Sequence, residues 1–190
     1  ASLPPVALAA WQALVEKGKL EKGQKVFIQA GSGGVGTLAI QLAKHLGATV
    51  ATTTSATNVA LVKRLGADIV VDYKTQDFED VLRDYDVVLN SQDGKTLEKS
   101  LRVLARGGKL ISISGPPDAE FGRAIKAPAF VRWVMRLLSA RIRRQARRSE
   151  VAYSFLFTKA DGRQLREITR LVDAGVIRPV VDRVFPFEPT

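Results

Sequence analysis

The chain has 190 residues, enough for one domain with a sizeable buried core, and 46% of them are hydrophobic. It contains no cysteine, which excludes a disulfide framework and a thiolate metal site within this segment. The formal net charge is +10. Residues 121–149 carry nine Lys or Arg and no Asp or Glu, so the rest of the chain is nearly neutral.

Helical and strand-like segments alternate along most of the chain. Apolar residues at helical spacing predict helices over 4–18, 33–48, 58–67, 77–84 and 94–105. Short apolar and β-branched runs predict strands over 25–30, 49–54, 68–73, 85–90 and 108–114. After residue 118 this regular alternation of short strands and helices stops. The pattern there predicts a long helix over 128–149, a strand over 151–157, a helix over 162–175 and an extended segment over 176–188.

Continuous apolar strands that alternate with helices are typical of a parallel sheet covered on both faces. The predicted fold class is therefore α/β, a doubly wound sheet of the Rossmann type with strand order 3-2-1-4-5-6. The only histidine, His45, falls inside a predicted helix, where a structural or solvated role is typical, and no metal site is predicted.

Three glycines with G-x-G-x-x-G spacing, Gly31, Gly33 and Gly36, follow the first predicted strand and open a helix. In this context the first glycine permits a tight turn, the second lets the backbone approach a pyrophosphate, and the third lets the helix pack on the strand. The helix N-terminus then presents free N–H groups to the phosphates. The alternative is that the glycines serve only a tight turn, but the surrounding βαβ order favours a dinucleotide site.

The end of the second predicted strand bears on the choice of dinucleotide. An NAD site usually has Asp or Glu about 20 residues after the glycines, to bind the ribose 2′-hydroxyl. This chain has Thr53, Thr54 and Ser55 there, and the first acidic residue after the loop is Asp68. Hydroxyls can donate to a 2′-phosphate, so the pattern favours NADPH over NADH. The alternative is that the threonines reflect β-propensity alone.

Residues 19–78, with Ser32 directly before Gly33-Gly34-Val35-Gly36, resemble the medium-chain dehydrogenase/reductase superfamily. They are most similar to its zinc-independent quinone-oxidoreductase and alkenal-reductase branch. Segments around 107–115 and 171–190 follow in the order that the family shows. The resemblance covers nearly the whole chain except residues 117–150.

The resemblance implies a Rossmann domain that works with a GroES-like catalytic domain and transfers hydride from NADPH to a quinone or to an enone or enal. Residues 1–190 would then be the cofactor domain of a longer protein, without the GroES-like domain and the last helix and strand, and inactive alone. A homodimer and a cytoplasmic location are further expectations. No catalytic residue is evident, since hydride transfer is the cofactor's chemistry.

By position, the resemblance implies cofactor contacts along the loop and at four strand ends: Gly31, Ser32, Gly33, Gly34, Val35, Gly36, Thr54, Ser55, Asn58, Tyr73, Asn90, Ser91, Ser114 and Gly115. The sequence departs from the family at Thr57 and Asn58, where relatives often carry Arg or Lys. A 2′-phosphate would then be held more weakly, unless Lys63 or Arg64 reaches back. The alternatives are the cofactor domain of a zinc-dependent alcohol dehydrogenase and a non-catalytic module that binds NADPH.

The basic segment 123–148 carries one further hypothesis. Its apolar residues share one helical face, and its arginines occupy another. The simplest interpretation is a helix packed on the sheet or on a partner subunit, with a solvated basic face. A basic amphipathic helix also fits docking on an anionic membrane surface, a nucleic acid or an acidic protein. No nucleic-acid motif supports the second of these.

Overall fold

A computed structural model of the chain describes residues 3–181, and six strands there form one sheet. The strands are β1 Lys25–Ile28, β2 Thr49–Thr54, β3 Ile69–Asp72, β4 Tyr85–Asn90, β5 Leu104–Ser112 and β6 Ala152–Phe155. All neighbouring pairs are parallel, and the order β3-β2-β1-β4-β5-β6 confirms the predicted Rossmann topology.

Helices connect the strands and cover both faces of the sheet. They are α1 Leu3–Trp11, α2 Gly34–His45, α3 Val59–Arg64, α4 Phe78–Val81, α5 Gly94–Ser100, α6 Ala119–Ala124, α7 Ala129–Leu138, α8 Ala140–Arg148 and α9 Gly162–Asp173. A π-helical turn, Gln12–Lys17, extends α1, and a 3₁₀ turn, Ala56–Asn58, precedes α3. Within residues 3–181, no helix is both long enough and apolar enough to span a bilayer.

The strand period of two divides the core into two clusters. Val26 and Ile28 point to the face covered by α1, α2 and α9. Phe27, between them, points to the opposite face, where its ring lies 4.9 Å from that of Phe78 and 6.2 Å from that of Tyr85. Burial of both faces explains why the strands read as continuous apolar runs.

The structure corrects the prediction of one long helix over 128–149. The segment is two helices, α7 and α8, which meet at the buried Ser139. The Ser139 hydroxyl donates to the carbonyl oxygen of Met135 at 2.8 Å, a side-chain bond that competes with regular helix geometry. The break lets Ile142 and Ala146 of α8 pack on the sheet while the apolar side of α7 stays exposed.

Other differences are local. Gly18 is the C-cap of the π-helical turn with φ −67°, and the left-handed residue that follows it is Lys19, with φ 46°. Helix α6 was not predicted from the sequence. The extended segment predicted over 176–188 forms no strand in 176–181, and its remainder lies outside the described residues.

We expect Phe27→Ala to lower the free energy of unfolding by about 3–5 kcal/mol, because it opens a cavity in a fully buried aromatic cluster. Phe130→Ala is the matched control, since Phe130 is exposed on α7 and its loss should cost less than about 0.5 kcal/mol. Urea unfolding of both variants measures the difference. Equal losses would contradict the assignment of Phe27 to the core or of Phe130 to the surface.

Candidate nucleotide-binding site

The turn between β1 and α2 directs the N-terminus of α2 to the carboxyl end of the sheet. The amide of Gly31 donates to the carbonyl oxygen of Thr53 at 2.9 Å, and the amide of Gly33 donates to that of Ala30 at 2.9 Å. Ala30 adopts a left-handed conformation with φ 51°. Gly33 is the N-cap of α2 and has no side chain to cap it, so the first-turn N–H groups are available to a ligand.

The glycines of the loop fall into two pairs according to what a side chain would meet. A Cβ at Gly36 would overlap the carbonyl oxygen of Ala30 and lie 2.7 Å from the Cα of Gly31. A Cβ at Gly31 would overlap the Thr52 hydroxyl. Close packing of the turn on its own strands therefore requires these two glycines.

Gly33 and Gly34 are exposed, and their surroundings are more open. A Cβ at Gly33 would meet only the Ala30 carbonyl oxygen, at 3.2 Å, and one at Gly34 only Val6, at 3.5 Å. The fold tolerates a small side chain at Gly34. The space over Gly33 lies at the helix N-terminus, where a pyrophosphate needs the backbone to be bare.

The threonine hydroxyl groups at the end of β2 have different hydrogen-bond partners. Thr52 donates to the carbonyl oxygen of Ile28 at 2.6 Å, and the Thr53 hydroxyl accepts from the amide of Ala30 at 3.1 Å. Both are buried and hold the turn to its neighbouring strand. The predicted contact Thr54 is also buried, and it donates to the Ser32 hydroxyl at 2.9 Å. Thr54 thus orients Ser32.

Asn58 and Ser55 complete the edge of the loop. The side-chain nitrogen Nδ2 of Asn58 donates to the Ser32 hydroxyl at 3.4 Å. The hydroxyls of Ser55 and Thr57 lie 2.9 Å apart. Asn58 and Ser55 are both half-buried. Ser32 is therefore the point where the glycine loop, the end of β2 and the start of α3 meet.

Two carboxylates bear on the choice of cofactor. Asp68 forms an ion pair with Lys44 at 2.9 Å and accepts the Val50 amide at 2.7 Å, so its task is structural. Asp72 pairs with Thr54 across β2 and β3, and its Oδ1 accepts the amide of Lys74 at 3.0 Å. Asp72 is distant in sequence from the end of β2 and comes to lie beside Thr54 only through strand pairing, so the sequence alone did not indicate it.

Asn90 lies at the end of β4 inside a buried polar network. Its amide nitrogen donates to Gln29 Oε1 at 2.6 Å, and its Oδ1 accepts the Ser112 hydroxyl at 2.7 Å. The side-chain nitrogen Nε2 of Gln29 in turn donates to the Ser100 hydroxyl at 2.6 Å. All four side chains are buried. Asn90 therefore fixes the ends of three strands and does not itself line an open surface.

The loops above this network carry the other predicted residues at this end of the sheet. Ser114 is exposed and donates to Asn90 Oδ1 at 3.3 Å, while the amide of Gly115 donates to the Ser112 hydroxyl at 2.8 Å. A Cβ at Gly115 would lie 2.8 Å from the Tyr153 hydroxyl. Burial raises the pKa of the Tyr153 phenol, and the negative charge of the nearby Asp118 raises that pKa further. The neutral phenol donates to the carbonyl oxygen of Pro116 at 2.7 Å.

A cavity of about 570 Å³ lies beside the glycine loop at the carboxyl end of the strands. Its lining comes from the loop, the ends of β2 and β3, and the start of α5: Ala30, Ser32, Gly33, Thr53, Thr54, Tyr73, Gln76, Asp77, Phe78, Gln92, Asp93, Lys95, Thr96 and Lys99. Ligands of open α/β sheets bind in this place, where the strand order reverses.

Charged side chains line this cavity, and their partners differ. Hydrogen bonds from Thr96 lower the pKa of Asp93, which caps α5 through the Thr96 amide at 2.9 Å. Hydrogen bonds with Asp77 and then Glu79 raise the pKa of Lys99. Asp93 is exposed and Lys99 half-buried, and both are charged at neutral pH. Lys95, also exposed, forms no salt bridge within residues 3–181.

The structure brings four of the predicted contacts to one cavity: Ser32, Gly33, Thr54 and Tyr73. The others lie in the packed turn, at its edge or over β4 and β5: Gly31, Gly34, Val35, Gly36, Ser55, Asn58, Asn90, Ser91, Ser114 and Gly115. Gln92, Lys95 and Thr96 were missed. Their signal was the segment "SQDGKT" after β4, which places polar residues at the start of a helix.

Comparison with known proteins identifies the family. Residues 65–190 match the zinc-binding dehydrogenase family. The chain belongs to this family, within the medium-chain dehydrogenase/reductase superfamily. The resemblance noted from the glycine loop is thereby confirmed.

Individual relatives are oxidoreductases. The chain is 37% identical to a mitochondrial NAD(P)H oxidoreductase of Danio rerio, over 98% of this chain and 50% of that protein. It is 31% identical to a chloroplastic NADPH-dependent alkenal/one oxidoreductase of Arabidopsis thaliana, over 98% of this chain and 40% of the relative. A quinone oxidoreductase from Coxiella burnetii superposes with a TM-score of 0.79 at 31% identity, covering 97% of this chain and 52% of that one.

The chain thus spans about half the length of the curated relatives that it matches. The comparisons show an NAD(P)-dependent oxidoreductase family and an NAD(P)-binding type of fold. They do not separate NADPH from NADH. Among residues 3–181, no group of three His, Cys, Asp or Glu is placed to hold a metal ion.

We expect Gly33→Asp to abolish nucleotide binding, because it puts a side chain and a negative charge at the N-terminus of α2. Gly162→Ala at the start of α9 is the matched control, since its Cβ has room and lies outside the proposed site, so both fold and affinity should be nearly unchanged. Calorimetric titration with NADPH measures the effect, and circular dichroism checks folding. Retained binding by a folded Gly33→Asp variant would contradict this location of the pyrophosphate.

Proposed function

We propose that this chain is the NADPH-binding domain of an oxidoreductase that reduces a quinone or an α,β-unsaturated carbonyl. The observation that carries the proposal is the bare helix N-terminus at Gly33, next to a strand end lined by hydroxyls. The names of the similar proteins from Arabidopsis thaliana and Coxiella burnetii supply the substrate classes.

The proposed preference for NADPH rests on the polar groups around Ser32. Thr54 and Asn58 both donate to its hydroxyl, and Ser55 adds another hydroxyl at the edge of the loop. No carboxylate ends β2, and Asp72 on β3 is engaged by the amide of Lys74. This arrangement offers donors to a 2′-phosphate and does not place a repelling charge on the same strand.

The exception in which Lys63 or Arg64 reaches back toward the phosphate has no support among the contacts of α3. Both are exposed on α3, and Arg64 lines a separate cavity with His45 and Arg178. Binding of the 2′-phosphate would therefore depend on hydroxyl and amide groups. A moderate preference follows, because no charge-assisted bond from Arg or Lys is supplied by α3.

The residues of the chain would contact a dinucleotide at its pyrophosphate, at its adenosine ribose and at its nicotinamide half. The first turn of α2 would hold the pyrophosphate, and Ser32 and Ser55 would hold the adenosine ribose or its phosphate. Ser91, Ser114 and the loops fixed by Asn90 would support the nicotinamide half. The bound cofactor would supply hydride, and this chain would bind and orient the cofactor.

The cofactor preference predicts the effect of Ser55→Asp. A carboxylate there would repel the 2′-phosphate and accept from a ribose 2′-hydroxyl, so the ratio of NADPH to NADH affinity should fall by about tenfold or more. Thr49→Asp is the matched control, because Thr49 is exposed at the opposite end of β2. Calorimetry on the 190-residue chain measures both ratios. Equal affinity of the unaltered chain for the two cofactors would contradict the proposal.

The proposed reaction requires the full-length protein that carries this chain. We expect it to oxidise NADPH in the presence of quinones or 2-alkenals, measured by loss of absorbance at the cofactor's near-ultraviolet band. A chelator should leave that rate unchanged. Zinc-dependent oxidation of alcohols without turnover of any quinone or enal would favour the zinc-dependent alcohol dehydrogenase alternative. The homodimer and the cytoplasmic location remain predictions.

A further inference from the structure

A surface formed by α7 and α8 has no part in the proposed nucleotide site. It combines an apolar stripe, made of Phe130, Trp133, Val134, Leu137 and Leu138, with an arginine cluster, made of Arg136, Arg143, Arg144, Arg147 and Arg148. We call the two together the α7–α8 surface.

The apolar stripe is exposed along the whole of α7, which buries none of its residues. Trp133 is 62% exposed and Phe130 70% exposed. At about 100° per residue, the five side chains lie within an arc of roughly 140° on one side of the helix. The other side packs on α6, where a Cβ at Gly122 would lie 2.9 Å from Met135 Sδ. Contiguous exposed apolar patches of this kind mark interaction sites.

The arginine cluster lies next to the stripe, since Arg136 belongs to α7 and the other four to α8. Its members surround a surface depression of about 340 Å³. Within residues 3–181 none of the five forms a salt bridge, whereas the neighbouring Arg141 pairs with Glu98 at 3.0 Å. Five like charges held together in this way are complementary to an anionic partner.

The apolar stripe and the arginine cluster lie side by side, and together they favour one class of partner. RNA would neutralise the arginines but leave the aliphatic side chains of Leu137 and Leu138 in water. A second copy docked through the same surface would bring two arginine clusters together, and the residues that line the depression include no carboxylate to compensate them. An anionic phospholipid surface satisfies both features, because apolar side chains enter the headgroup boundary while arginines contact lipid phosphates.

We propose that the α7–α8 surface docks the protein on membranes that contain anionic phospholipid. Helix α7 lies in the plane of the interface with its apolar stripe toward the acyl chains. Trp133 sits at the depth that indole rings prefer, between headgroups and hydrocarbon. The arginines of α8 bind the phosphates beside it.

The test uses the full-length protein, so that any other part of it able to cover α7 is present. Phosphatidylcholine vesicles with and without phosphatidylglycerol serve as probes, with sedimentation at physiological salt and tryptophan emission as readouts. We expect retention on the anionic vesicles only, with a blue shift of the emission. The shift is assigned to Trp133 by its absence in a Trp133→Phe variant, while Trp11 is already packed against the core.

Variants separate the two halves of the surface. The double variant Arg143→Gln and Arg147→Gln should weaken retention by about fivefold per charge. Arg163→Gln with Arg166→Gln on α9 removes the same charge from another surface and should have little effect. Leu137→Gln with Leu138→Gln should abolish the blue shift, whereas Val81→Gln, at an exposed position of α4, should not. NADPH affinity should be the same in all four.

Three outcomes would overturn the proposal. The first is no retention of the full-length protein on anionic vesicles. The second is retention that shows no blue shift and that falls equally in the α8 and α9 arginine variants, which indicates general electrostatic adsorption. The third is binding to RNA, or self-association abolished by Leu137→Gln with Leu138→Gln, in the absence of vesicle binding.

Discussion

The close approach of α2 to the end of β1 is the constraint on which the site depends. Gly36 and Gly31 are in contact through their backbones, and any side chain at Gly36 would overlap the Ala30 carbonyl oxygen. This contact aims the N-terminus of α2 at the carboxyl edge of the sheet, where its first N–H groups have no intrahelical acceptors. The exposed Gly33 leaves these groups accessible. Helix packing and the accessibility of these N–H groups therefore have the same cause.

Buried hydrogen bonds hold the strand ends around this helix terminus. Gln29, Asn90 and Ser112 join β4 and β5 to the end of β1, and Thr52 and Thr53 join β2 to it. Buried polar groups are costly unless they are paired, so a connected network of this kind specifies one arrangement of the loops above it. The loops that carry Ser91 and Ser114 rest on that network.

The sequence predicted the fold well because its signals were local and repeated. Apolar strands, helical spacing and glycine-ended helices recur at each β-α unit, and the strand order follows from the doubly wound topology. The break at Ser139 was missed because helical periodicity continues across it. Only tertiary packing, with Ile142 turned to the sheet and Trp133 to solvent, shows that two helices are present.

The site was predicted less completely than the fold. The glycine loop could be found because its residue types follow from backbone geometry. The threonines at the end of β2 looked alike in sequence, yet Thr52 and Thr53 hold the turn while Thr54 orients Ser32. Asp72 lies beside Thr54 through the pairing of β2 with β3, and Lys95 lines the cavity from the start of α5. Such positions follow from the tertiary arrangement of several elements, which one sequence does not display.

The most direct test of the account is a crystal structure of the chain with NADP⁺. We expect pyrophosphate oxygens within hydrogen-bond distance of the first-turn amides of α2, over Gly33, and the 2′-phosphate beside Ser32 and Ser55. A dinucleotide bound elsewhere, or one whose pyrophosphate does not contact the N-terminus of α2, would contradict the central claim that this bare helix terminus is the binding site.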